Sequence, residues 1–257
     1  QDLDEAYDQR IYAPNQPNLR DGPSLGRLHL DVMNRLRALP GVTTVGVVNN
    51  IPLDEGTPSV RVRTDEMAGD AQPLLLNLNF TGGDYFRAMS IPLLQGRAFT
   101  TDEEKPGAAP VVVLSYDLWQ ERFGANPDVI GQQLKLNQQS LTIIGVTPAG
   151  FHGTLQVDYR PVVTVPLATE PLLRGENSIL GTTAKPGYWW LNVMGRLKSG
   201  ATAEQAREAL NGTFQTTALE AMPPPRKADQ PARLEPKDYP RLLTEPGNLG
   251  MLDRRKN

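Results

Sequence analysis

Apolar residues recur three and four apart at Leu25, Leu28, Val32, Leu36 and Leu39, the spacing of one helix face. Ser24 stands at the N-cap position, and Pro40-Gly41 ends the run. Val42 to Val48 then reads as a strand, Ile51 to Pro58 as a loop and Val60 to Arg63 as a second strand. From Leu74 the pattern changes to strict alternation. Leu74, Leu76, Leu78 and Phe80 interleave with polar or outward neighbours, which predicts a strand with one buried face. Val111 to Leu114 is a continuous apolar run, the pattern of a strand buried on both faces.

Shorter signals punctuate the middle of the chain. Asp84 to Met89 reads as a helical turn leading into an extended segment, Ile91 to Leu94, and Gly96 closes it where a positive φ is needed. Ser115 is placed as the N-cap of a short helix carrying Leu118, Trp119 and Phe123, with Gly124 just past its end. Gln133 to Val146 reads as a hairpin whose tip is Asn137-Gln138-Gln139-Ser140. Further on, Tyr188 to Leu197 predicts a strand. Thr202-Ala203-Glu204-Gln205 spells a capping box opening a helix through Ala206, Ala209, Leu210 and Phe214, which must end before Pro223-Pro224-Pro225. Residues 1–23 form a polar arm or linker with few apolar groups, and a return strand is placed near Ala232 to Leu234.

Composition narrows the class. With 257 residues, of which 39% are apolar and 21% charged, the chain can bury a substantial core and divide into two lobes. A formal charge of −3 argues against a nucleic-acid partner, because phosphate binding needs a concentrated basic face. The absence of cysteine excludes disulfides and thiolate chemistry. No stretch approaches the ~20 consecutive apolar residues that span a bilayer, and Gln1 does not begin a signal peptide.

In order, the chain carries Gly82 to Phe86, Leu94-Gln95-Gly96-Arg97, Val112 to Ser115, Arg122-Phe123-Gly124, Gly131 and Ile143-Ile144-Gly145-Val146. This succession resembles the extracytoplasmic (periplasmic) core domain of MacB/FtsX-type ABC transporter permeases, over about Leu28 to Leu219. Pro148-Ala149-Gly150-Phe151 and Val165-Pro166-Leu167 are most similar to the acidobacterial-type orphan branch. The resemblance implies an α+β, two-lobed fold. A porter-like α/β lobe comes from residues 24–83 and 188–240, a mostly-β lobe is inserted at 84–187, and 241–257 is a membrane-proximal tail. It implies a domain held outside the inner membrane between two transmembrane helices, a homodimer formed through the full-length permease, and an ATPase subunit or domain that binds ATP elsewhere. A periplasmic adaptor and an outer-membrane channel are further partners in that reading. The cargo class would be an amphiphilic, peptide or lipid substrate that is exported or extracted.

Catalytic chemistry is not expected. His29 and His152 lie far apart and lack a carboxylate set at metal-ligand spacing. Asp102-Glu103-Glu104 reads as a solvated acidic turn in which Thr101 caps a helical turn, and Asp54-Glu55 and Asp65-Glu66 read the same way. Ser115 follows a strand and precedes a helix, but Val113 and Asp117 stand where a nucleophile elbow needs glycines. No phosphate-binding loop is present around Gly82-Gly83, so no cofactor is expected in this domain. The glycosylation sequon Asn211-Gly212-Thr213 falls inside the predicted helix. Trp189 and Trp190 must point to opposite faces of their strand, so with Tyr188 they are candidates for a partner or substrate surface, interlobe packing being the alternative. Gly82, Gly83, Pro186 and Gly187 are candidate hinges. A secreted two-lobed ligand-binding module without a transport role is the alternative function, and what flanks residues 1 and 257 separates the two.

Overall fold

The computed structural model describes residues 33–49, 60–63, 75–151, 162–175, 178, 180 and 192–221. They form an α+β fold with nine strands and five α-helices, plus two short 3-10 turns. The strands are β1 (Val42–Val48), β2 (Val60–Arg63), β3 (Leu75–Gly83), β4 (Gln95–Gly96), β5 (Val111–Leu114), β6 (Gln133–Leu136), β7 (Gln139–Val146), β8 (Val162–Pro166) and β9 (Asn192–Leu197). The helices are α1 (33–38), α2 (Tyr85–Ala88), α3 (Tyr116–Phe123), α4 (Glu170–Arg174) and α5 (Ala203–Ala221). All nine strands join one mixed sheet in the order β4-β7-β5-β8-β3-β1-β9, with β2 also pairing β3 and β6 also pairing β7. β3 pairs with β8, and β5 with β7, in parallel.

Of the described residues, one compact unit holds 33–43, 178, 180 and 197–221. The other holds 44–49, 60–63, 75–151, 162–175 and 192–196. The sequence reading sets its lobe boundaries at 83/84 and 187/188. The parallel β3–β8 ladder, from Asn77↔Val162 to Thr81↔Pro166, joins strands assigned to different lobes in that expectation.

In the first unit, α1 ends where Leu39 N–H donates to Leu36 O at 3.1 Å and Val42 N–H to Leu39 O at 3.0 Å. Met33 is its buried residue, while Leu36 and Leu39 of the predicted stripe are half-buried and Leu25 to Val32 lie outside the described residues. The capping box forms as spelled. Thr202 N–H donates to Gln205 Oε1 at 3.0 Å and Gln205 N–H to Thr202 Oγ1 at 3.2 Å, so each side chain satisfies an orphan donor of the first turn. Among the α5 side chains that are described, Leu210 and Phe214, one turn apart, are buried, and Ala209 is exposed, one step off that stripe.

The second unit is organised by the two faces of its sheet. Leu76, Leu78 and Phe80 are fully buried on one face with Val45, Val47, Val112, Leu114, Val163 and Val165, each large side chain contributing about 1.5–3 kcal/mol by leaving water. Alternation predicted that the other face of β3 looks outward. It does not: Asn77 is 5% exposed, and Asn79 and Thr81 are 0% exposed. Alternation reports a difference between two faces, and here the difference is apolar against polar rather than buried against wet.

The hairpin is tighter than predicted. Leu136 pairs with Gln139, leaving only Asn137 and Gln138 at the tip, with φ of 48° and 67°. Two consecutive positive φ values are the type I′ geometry that matches strand twist, and Asn tolerates the first of them. Asn137 Nδ2 donates to Leu173 O at 2.9 Å, anchoring the tip to α4. The predicted extended segment Ile91–Leu94 is irregular, and the short strand follows it at Gln95–Gly96.

Candidate functional site

The site with the most built geometry is the segment from Asp84 to Ala108, which starts on the sheet face that carries Asn77, Asn79 and Thr81 of β3. It begins with α2, whose Tyr85 and Phe86 are buried in one cluster with Val48, Val111, Val113 and Ile144. Met89, Ile91, Leu93, Ala98, Phe99 and Met194 pack around them, half-buried. Tyr85 meets Phe86 edge-on at 5.3 Å between centroids, and Phe86 meets Phe99 at 5.8 Å, giving a continuous aromatic layer. Such close approach is possible because β1 has no side chain at Gly46, where a Cβ would lie 2.6 Å from Tyr85 Cα. Burial pushes the Tyr85 hydroxyl well above the usual phenol range, against a hydrogen bond from Asn79 Nδ2 at 3.5 Å, so it stays neutral.

Past this layer the chain returns to the sheet edge. Leu94 N–H donates to Val146 O at 2.8 Å and Arg97 N–H to Ile144 O at 2.9 Å, bracketing the β4–β7 pairing of Gly96 with Gly145. Arg97 then clamps Glu103 through two N–H···O bonds, of 2.9 and 2.7 Å. Glu103 also accepts from Thr100 N–H at 2.8 Å and Thr100 Oγ1 at 3.0 Å, while Thr100 Oγ1 faces Glu103 N–H at 3.4 Å. This is a capping box, Thr100-x-x-Glu103, and the capping residue is Thr100 rather than the predicted Thr101. The Arg97 guanidinium, helped by Thr100 and opposed by partial burial, holds the Glu103 carboxyl down at about 2. A third tie comes from β9. Arg196 Nε donates to Arg87 O at 3.3 Å and its guanidinium to Ser90 Oγ, satisfying carbonyl and hydroxyl groups at the end of α2.

The acidic triplet therefore does not converge. Asp102 pairs with Lys105 Nζ at 2.6 Å while Glu103 turns to Arg97. Ser115 Oγ accepts from Leu118 N–H at 3.3 Å with extended backbone at φ −70° and ψ 154°, so it is a helix cap and not a strained nucleophile. Gly124 ends α3 in the left-handed conformation at φ 61°, as predicted. His29, His152, Asp54-Glu55 and Asp65-Glu66 lie outside the described residues. Among the described residues no three His, Cys, Asp or Glu side chains gather as a metal-ligand set, and no helix is long and apolar enough to cross a membrane. Asn211 and Gly212 of the sequon lie on α5.

Of the residues singled out as hinges, Gly82 and Gly83 end β3, in register with Val47 and Gly46. Gly82 is buried, and a Cβ there would lie 2.9 Å from Val47 Cγ2, so its small size serves the packing of two strands. Pro186, Gly187, Tyr188, Trp189 and Trp190 lie outside the described residues. What sequence reasoning missed was the Arg97–Glu103 clamp and the Arg196 tie. The Thr-x-x-Glu spelling at 100–103 was a usable signal for the first, whereas nothing local marks Arg196 as the partner of a helix residue 109 positions earlier in the chain.

The MacB-like periplasmic core domain model matches residues 4–213. Among solved structures, the extracellular domain of the noncanonic ABC-type transporter YknZ from Gram-positive bacteria is similar at 15% identity and a TM-score of 0.51, covering 73% of this chain and 82% of that one. The periplasmic region of MacB from Actinobacillus actinomycetemcomitans is similar at 19% identity and a TM-score of 0.49, covering 73% and 72%. A domain of a putative permease protein from Porphyromonas gingivalis is similar at 16% identity and a TM-score of 0.44, covering 77% and 70%. No curated protein sequence matches the chain. The first of these structures agrees with the α+β fold described above, and the family match spans both the aromatic layer and the Arg97–Glu103 clamp: this chain belongs to the MacB-like periplasmic core domain family.

Proposed function

We propose that this domain is the extracytoplasmic part of an inner-membrane ABC permease that dimerises and converts ATP hydrolysis on the cytoplasmic side into movement acting on an amphiphilic, peptide or lipid substrate. The family match over residues 4–213 carries this reading. In this reading segment 84–108, tied to the sheet by packing, an ion pair and capping bonds, is a stiff element through which the movement passes. The nucleotide is bound by a separate ATPase subunit or domain, and an adaptor and an outer-membrane channel are the partners such a permease would use for efflux. Within the family, the acidobacterial-type branch is the proposed placement.

Reading the gene on both sides of this segment is the first test. Apolar stretches of about 20 residues before Gln1 and after Asn257 are expected, whereas a cleavable signal and a stop codon would make it a secreted binding module. Coupling is tested in the full permease with its ATPase by spin labels on the two copies of the domain. A distance change between nucleotide-free and ATP-bound states is expected, and an unchanged distance would remove the lever.

A further inference from the structure

Asn77, Asn79 and Thr81 project from β3 toward the face covered by α2, at most 5% exposed, with Thr164 of β8 beside Asn79 in register. Asn77 Oδ1 and Thr81 Oγ1 are buried and have no hydrogen-bond partner among the described residues. The Tyr85 hydroxyl reaches this row with only a long contact, 3.5 Å from Asn79 Nδ2. Asparagine is disfavoured in strands, and a buried amide oxygen or hydroxyl without a partner is costly, so two orphans in one row of three call for a ligand.

We propose that this row is an internal hydration site. Ordered water molecules bridge Asn77 to Asn79 and Asn79 to Thr81 beneath Tyr85. One water making two bonds of about 2.8 Å bridges at most about 5.6 Å, less than the ~6.6 Å between alternate residues of a strand, so each bridge requires the neighbouring side-chain tips to lean toward one another. Each orphan needs one partner, and water supplies a donor to Asn77 Oδ1 and either role to Thr81 Oγ1. The row offers only neutral amide and hydroxyl groups, so a metal cation is disfavoured, since hard cations are held with carboxylates. Val48 and Val113, fully buried on the same face, flank the row with apolar side chains.

Two measurements on the whole chain test this. In a high-resolution crystal structure, water is expected within hydrogen-bond distance of Asn77 Oδ1 and Thr81 Oγ1; a dry seam overturns the proposal. Thr81→Val keeps the side-chain shape and removes the hydroxyl. If water sits there it loses a partner and Tm falls by about 2–4 °C. An unchanged or higher Tm, the result for an orphaned hydroxyl replaced by an apolar isostere, overturns it as well.

Discussion

Gly96 faces Gly145 across the β4–β7 pair, and a Cβ on Gly96 would lie 2.0 Å from the Ile144 carbonyl oxygen. The two glycines allow the backbone of segment 84–108 to rejoin the sheet edge. Gly96 also needs its φ of +73°, so it is both crowded and conformationally restricted. Gly96→Ala is expected to cost about 3 kcal/mol, the sum of left-handed strain and backbone overpacking. Gly145→Ala, whose Cβ would meet Arg97 O at 3.0 Å, should cost less, about 1–2 kcal/mol. Denaturant unfolding of the two variants checks the order, and equal effects would contradict it.

Crowding and strain separate cleanly at two other glycines. Gly46→Ala places a Cβ 2.6 Å from Tyr85 Cα, which must move the backbone of α2. About 2–3 kcal/mol is expected, with loss of the buried Tyr85 environment in near-ultraviolet circular dichroism. Gly124→Ala meets nothing within 4 Å and suffers only from its φ of +61°, so about 1 kcal/mol is expected with the aromatic signal intact.

The Arg97–Glu103 clamp predicts an acid dependence. The folded carboxyl titrates at about 2, below its ordinary 4.5, so its stabilising effect is complete above about pH 4.5 and is lost as the pH falls through 2. Arg97 is half-exposed and screened by solvent, so Arg97→Ala should lower stability by about 1 kcal/mol at pH 7. The difference between variant and parent should shrink as the pH is lowered from 4.5 toward 2, read from thermal melts along that range. A constant difference would show that the ion pair is not its source.

At the start of α5, Thr202→Ala removes the acceptor for Gln205 N–H and should cost about 1 kcal/mol. Hydrogen exchange should accelerate at the Gln205 amide and its neighbours in the first turn. Unaltered exchange there would mean that the reciprocal bonds do not hold the helix end in solution.

Signals confined to a few residues were legible in the sequence and took the form that it spelled. Thr202 and Gln205 cap each other, Ser115 caps α3, Gly124 ends it with a positive φ, and Gly96 needs one, because each depends on bonds and sterics within one turn of its own backbone. The family was legible too, from the order and spacing of such pieces. Only the tertiary structure decided what covers each face and which distant strands meet. Asn77 and Thr164 share a buried face because β3 and β8 run parallel in one sheet, and Arg196 reaches Ser90 from β9, the strand beside β1 at one edge of that sheet. A side chain's polarity states what burial would cost, but whether it is buried depends on residues far along the chain that its own neighbours do not specify.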